Sequence, residues 1–306
     1  MNPTHKIIPH LWFDKEAIEA ARFYISLFPN SGIKNITSLQ EIPSPSGNSD
    51  IVSFELNASP FMAINAGPIF QFNPLISFIV NYDPSIDPDA KENLKKTWEK
   101  LFPDGKVMMP LQQYPFSELY GWIQDKYGIS WQFILSRPDG EKRPFITPSL
   151  LFTEKVCGKA EEAVDFYLSL FSNSSRGITA RYPKDSLPDQ EGDIMFSDFK
   201  INDTFLAAAD SAQVHGFTFS EAISFIIKCD TQEEIDYFWD KLSAVPEAEQ
   251  CGWLKDKYGI SWQITPSVMS EMMKTGSREQ INRVTKAFLP MKKFEIKKLE
   301  DAFRAD

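Results

Sequence analysis

Few side chains in this protein could do chemistry, and the two best placed are glutamines. Residues 121–133 read GWIQDKYGISWQF and residues 252–264 read GWLKDKYGISWQI, with ten of the thirteen positions identical. A match that tight between distant segments marks a duplicated unit. Each copy parses as a β-hairpin. Trp122 and Ile123 begin one strand, Asp125 to Gly128 make the turn, and Ile129 to Phe133 return. Asp first and Gly last is favoured turn chemistry. Side chains alternate along a strand, so Ser130 and Gln132 share one face while Trp131 and Phe133 share the other. Gln132 and Gln263 are thus amides at matched places. An amide there can read a ligand, or it can tie strands together, since buried polar groups need partners.

The other reactive side chains are scattered. His10 lies on a strand and can change charge near neutral pH, but its duplicate position holds Ser149. His5, near a terminus, and His215, in a loop, read as solvated. Cys157, Cys229 and Cys251 are odd in number and widely spaced. They read as reduced thiols of a cytoplasmic protein. Cys251 stands where Tyr120 does and reads as a small packed hydrophobe. Acid pairs such as Glu161-Glu162 and Glu233-Glu234 fall on solvated helix faces. There is no Ser-His-Asp pattern and no phosphate loop. No glycine-rich turn joins a strand to a helix in the way that cradles a nucleotide-like cofactor. No cofactor is therefore expected, and methyl transfer is not favoured.

The elements that position these residues repeat. Ile7 to Phe13 reads as a strand, Lys15 to Leu27 as a helix, and Ile33 to Ile42, Asp50 to Leu56 and Pro60 to Ala66 as strands. A second βαβββ unit follows: Leu75 to Asn81, a helix from Asp89 to Leu101, Val107 to Gln113, then the hairpin. After the polar linker 138–143 the pattern restarts. Phe145 to Phe152 echoes Lys6 to Phe13, and Ala163 to Phe171 echoes Ala20 to Phe28. The expected domains are 1–137 and 144–267. A tail, 268–306, has helices at Val268 to Lys274 and Ser277 to Phe288, then a charged stretch from Lys292.

The bulk properties agree. The 306 residues suggest about two domains, and 25 Phe supply ample cores. A net charge of −10 argues against nucleic-acid or anionic-membrane partners. No apolar run approaches the ~20 residues of a membrane helix, and no signal peptide is evident.

IPHLWFD, FYISLFPNS, FMAINAGP, LISFIVN, CGWLKDKYGISWQI and LPMKKFEIKKLEDA together resemble the PhnB-like proteins. These carry 3-demethylubiquinone-9 3-methyltransferase domains and belong to the glyoxalase/bleomycin-resistance, or vicinal oxygen chelate, superfamily. The resemblance covers nearly the whole chain, twice. It implies an α+β fold of two tandem vicinal-oxygen-chelate domains, each of paired βαβββ units, plus the helical tail. It also implies a concave cup in each domain, with metal ligands on set strands in the enzymes. Carried over, those positions fall on or near His10, Asn65, Ser77 and Gln132 in domain one, and Ser149, Asp210, Ser224 and Gln263 in domain two. Neither set has more than one strong ligand for a transition metal, so no metal is expected. Three readings stay open: a metal-free binder of a small apolar or aromatic molecule, a metal-dependent lyase, isomerase or dioxygenase, and a metal-free enzyme using His10 or Cys251. The first is preferred, with the ligand in domain one against His10, Asn65, Ser77, Trp122 and Gln132. There Tyr114 and Phe116, in the segment from Pro110 to Ser117, would fold over it as a lid. The chain is expected to be its own pseudo-dimer, with a small-molecule ligand as its only partner.

Overall fold

The computed structural model describes residues 7–44, 47–137, 140 and 142–305. His5 and residues 138, 139 and 141 of the expected linker lie outside them. Alternating apolar runs form strands and the 3.6-period stripes form helices, in four successive units. The first holds β1 (Ile7–Phe13), α1 (Ala17–Leu27), β2 (Gly32–Ser44), β3 (Gly47–Leu56) and β4 (Ser59–Asn65). The second holds β5 (Ile76–Tyr82), α2 (Ala90–Leu101), β6 (Lys106–Tyr114), β7 (Ser117–Gln124) and β8 (Ser130–Leu135). The third holds β9 (Ile146–Phe152), α3 (Ala160–Leu170), β10 (Ser174–Arg181), β11 (Ile194–Ile201) and β12 (Thr204–Asp210). The fourth holds β13 (Ile223–Cys229), α4 (Gln232–Leu242), β14 (Trp253–Lys255) and β15 (Ser261–Pro266). The tail holds α5 (Ser267–Thr275), α6 (Arg278–Phe288) and α7 (Ile296–Arg304).

The chain is thus α+β, two tandem modules of paired units with a helical tail. The fourth unit is one strand short. Where β6 would recur, Pro246 starts a short 3-10 turn through Ala248. The tail fills the vacated edge: the Cys251 and Gly252 amides donate to the carbonyls of Met291 (2.8 Å) and Lys292 (2.7 Å). The charged stretch after Lys292 contains a third helix, α7. Its Ile296, Leu299 and Phe303 share one stripe, and Leu299 is fully buried.

The strands pair across the modules. One sheet runs β14-β15-β13-β1-β4-β3-β2, and the other β10-β11-β12-β9-β5-β8-β7-β6. Each therefore takes one unit from each module. The joins are antiparallel, His10 opposite Ser224 on β1/β13 and Ser77 opposite Ser149 on β5/β9. No cup closes within one module, contrary to the expectation of a domain-one cup. The reason lies on the buried faces. The two units of a module pack face to face, so their open edges sit in different layers. Phe61 of the first sheet meets Phe78 of the second at 5.2 Å, and Tyr24 of α1 meets Trp131 at 5.2 Å.

The duplicated hairpin is the staple of that packing. Asp125 accepts from the Tyr24 hydroxyl (2.8 Å), the Trp131 indole (2.9 Å) and the amides of Tyr127 and Ile129. Asp256 accepts the same four donors from Tyr167, Trp262, Tyr258 and Ile260. Burial pushes both carboxyls upward in pKa, and the four donors oppose it. Asp125 and Trp131 of the repeat, and their copies Asp256 and Trp262, are therefore structural. Among the described residues no helix is long and apolar enough to cross a membrane.

Candidate functional site

Strand register sorts the candidate side chains into two cups. On the first sheet His10 lies opposite Ser224, Ser224 opposite Ser261, and Trp253 opposite Gln263. On the second Ser149 lies opposite Ser77, Ser77 opposite Ser130, and Trp122 opposite Gln132. His10 is thus separated from Ser77, Trp122 and Gln132, which share the other cup. Asn65 belongs to neither. It follows the core-facing Ala63 by two residues, and its Oδ1 accepts from the Ala17 amide at 2.7 Å, at the start of α1. Asp210 does the same for Ala160 at 3.1 Å. Asn65 therefore pairs with Asp210 in the duplication, and both serve helix starts.

Both glutamines tie strands. Gln263 Nε2 donates to Ser224 Oγ (3.0 Å), and Gln132 Nε2 donates to Ser77 Oγ (2.8 Å). Gln132 also accepts from the Tyr120 hydroxyl at 2.7 Å. The sequence reading missed Tyr120, although it shares a strand face with Trp122 two residues on. Burial pushes its phenol well above the usual range, so it stays a neutral donor.

The first cup is covered. Its strands β2 and β15 lie far apart in the sheet, yet α5 touches both, and α6 also touches β2. The tail therefore spans the cup. Glu271 on α5 faces Lys228 on β13, raising an amine that burial lowers. Beneath lie two stranded polar atoms, His10 Nδ1 and Ser261 Oγ, on residues 4% and 1% exposed. Desolvation lowers the His10 pKa to about 3, so the ring is neutral, edge-on to Trp253 at 5.4 Å. Cys251 is occupied by the tail, its Sγ 3.4 Å from the Leu289 carbonyl, and burial raises its pKa. Neither residue is poised as a nucleophile or base.

The second cup differs where bulk matters. Opposite β1, the first sheet places Met62 and Ile64 against His10 and Trp12. Opposite β9, the second places Ala207 and Ala209 against Ser149 and Leu151. The tail's main strand contacts lie on β2 and β15 of the first sheet, and after β8 the chain leaves directly into the linker. Aromatic rings flank Gln132. Tyr114 and Phe116 stack at 5.7 Å, and both meet Tyr120 edge-on, at 5.5 and 5.0 Å. Tyr114 ends a strand, and Phe116 lies in the two-residue turn that follows it. Lys106 to Tyr114 is edge strand β6, hydrogen-bonded to β7 with three register shifts. Pro110 suits an edge, where a missing N–H costs no ladder bond, and bulges re-aim side chains. The rings expected as a lid stand at the sheet edge, against Tyr120.

The superfamily's metal finds no suitable donors here. The first cup offers one imidazole beside hydroxyls and an amide, and the second offers only hydroxyls and an amide. Among the described residues no three His, Cys, Asp or Glu side chains come together. These donor sets do not fit a transition metal.

The sequence model of a family described as 3-demethylubiquinone-9 3-methyltransferase matches residues 5–134 and again 144–265. A Bacillus cereus protein described as a 3-demethylubiquinone-9 3-methyltransferase, PhnB protein, is 36% identical. That match covers 43% of this chain and 100% of the other, at a TM-score of 0.39. Glyoxalase I from Zea mays is 12% identical, covering 84% of this chain and 92% of the other at a TM-score of 0.51, a likeness of fold. No curated protein matches the chain. The double match, over most of the length and on both copies of the stapled hairpin, places this chain in that PhnB-like family of the glyoxalase fold, with its module present twice.

Proposed function

We propose that this protein binds a small apolar or aromatic molecule, without a metal, in the cup of the second sheet. The observation carrying this reading is the contrast between the cups. The first is filled by its own large side chains and spanned by the tail. The second has smaller side chains at the matching positions, with buried Ser149 and Ala207 and half-buried Ala209, and an aromatic rim around one half-buried amide. A concave apolar surface with a few convergent polar groups is the usual form of a small-molecule site. The donor sets argue against the metal-dependent lyase, isomerase or dioxygenase alternative. Methyl transfer would need a cradle for a nucleotide-like donor, and no strand here leads into its helix through a glycine-rich turn.

Native mass spectrometry on protein purified without chelators tests the reading, with metal content measured on the same sample. A retained organic ligand with substoichiometric metal supports it. Stoichiometric metal, lost on Gln132→Ala, would overturn it.

A further inference from the structure

A cavity of about 280 Å³ opens at the junction of the two modules, and none of the cup residues described above lines it. Its lining repeats across the duplication. Ile7 matches Ile146, Pro9 matches Pro148 and Pro60 matches Phe205, and all six border the space. The prolines account for it. The Phe13 carbonyl accepts from the Ala66 amide at 2.9 Å, so odd residues of β1 face even residues of β4. The ladder between those strands begins only at His10 opposite Met62. One rung earlier the Pro60 carbonyl would take its hydrogen from residue 9, and Pro9 has none to give. The second copy repeats this. Phe152 accepts from Ser211 at 2.9 Å, the ladder begins at Ser149 opposite Ala207, and the Phe205 carbonyl meets Pro148. Both strand pairs lose their ladder at the same end, and the cavity lies there. Pro60 and Phe205 are half-buried, so their carbonyls, left without a strand donor, are within reach of a ligand.

We propose that this junction cavity is a second binding site, for a compact neutral molecule with an apolar body and a hydroxyl that donates to the Pro60 or Phe205 carbonyl. The proposal is independent of the cup. Isoleucine and proline side chains suit an apolar body, and few polar groups are needed to orient it. The charged side chains at the rim already engage one another. Arg143 pairs with buried Asp198 and lies over the Phe205 ring at 5.6 Å, and Lys200 meets Asp203 at 2.7 Å. A carboxylate would set its oxygens against the two carbonyls, and an ammonium would come to rest beside Arg143 and Lys142, which also border the space. A hydroxyl meets neither conflict. A ligand with acceptors alone would leave both backbone carbonyls without a donor.

Borneol and camphor test this, since they share one compact skeleton, the first bearing a hydroxyl and the second only a carbonyl. Calorimetric titration of the full chain should show borneol binding about fivefold or more tighter than camphor, the worth of one net hydrogen bond. Ser59→Trp sets an indole against the cavity from a half-buried strand start, and borneol binding should be lost. Thr204→Trp does the same from the matched position and serves should Ser59→Trp not fold. Ala209→Trp, in the cup of the second sheet, should leave borneol affinity within about twofold. Pro9→Ala combined with Pro148→Ala returns both N–H groups, and the preference for borneol should fall to about twofold or less. No saturable borneol binding, equal affinity for the two probes, or binding that survives both blocking variants overturns the inference. Borneol binding lost only in Ala209→Trp overturns it too, and places the alcohol in the cup instead.

Discussion

His10 shows how little a residue type says without its surroundings. In the sequence it is an imidazole on an apolar strand, and its candidacy rests on charge change near pH 7. Folded, it is 4% exposed, and its Nδ1 has no hydrogen-bond partner among the described residues. Its charge change is suppressed rather than used. The pKa falls from 6.5 unfolded to about 3 folded, so the unfolded chain binds the proton first. The stability the neutral ring allows is complete above pH 6.5 and is lost as pH falls toward 3. Each pH unit is worth 1.36 kcal/mol, so roughly 2 kcal/mol should go between pH 6.5 and pH 5. Urea unfolding across that window should show the loss, and His10→Gln should remove it. An unchanged slope in His10→Gln would mean that other groups carry the pH dependence. Gln132 was legible as a matched amide, but its tie to Tyr120 was not, because side-chain partners across strands depend on register.

At the scale of elements, the repeated hairpin was legible because turn chemistry and period-two alternation act locally. Trp131 and Phe133 face the core and Gln132 the cup, as alternation requires. The Asp was legible only as a turn residue. Its grip on the Tyr of the first helix of its module spans 101 residues in one copy and 89 in the other. Asp125→Ala would strand an indole N–H, a phenol and two amides. At ~1–3 kcal/mol for each stranded buried donor, the loss should be about 3 kcal/mol or more by urea unfolding. Asp256→Ala should cost a similar amount. A loss under ~1 kcal/mol would show that the packed rings hold the hairpin without the carboxylate. The strand from Val107 was legible, but its last residues with Tyr114 read as part of a lid because Pro110 interrupts the alternation. Helix α7 read as a charged stretch because its apolar residues are spaced among five charged ones from Lys297 to Arg304.

At the scale of the molecule, the two modules and four units were legible from the duplication, while the pairing of their edges was not. Nothing in a sequence repeat says whether β1 joins the β5 of its own module or the matching β13 of the other. Face-to-face packing within the module decides it, leaving β1 and β5 as open edges in separate layers. An open edge is a template for pairing, so the isolated module 1–137 should assemble as a homodimer, with β1 of one copy on β5 of the next. Light scattering after size-exclusion chromatography reads this directly. A folded monomer at all concentrations would mean that the module can close a sheet on itself. Likewise, cutting the whole chain at residues 138–143 should leave the halves together in native buffer, because both sheets cross the cut.

The most direct measurement compares the two cups by filling each in turn and titrating with naphthalene. Ala209→Trp places an indole at a half-buried position in the cup of the second sheet, and Met62→Trp does so in the cup of the first. Naphthalene binding should be lost in Ala209→Trp and kept within about twofold in Met62→Trp. Binding that survives Ala209→Trp and disappears in Met62→Trp would contradict the account and assign the ligand to the cup of the first sheet.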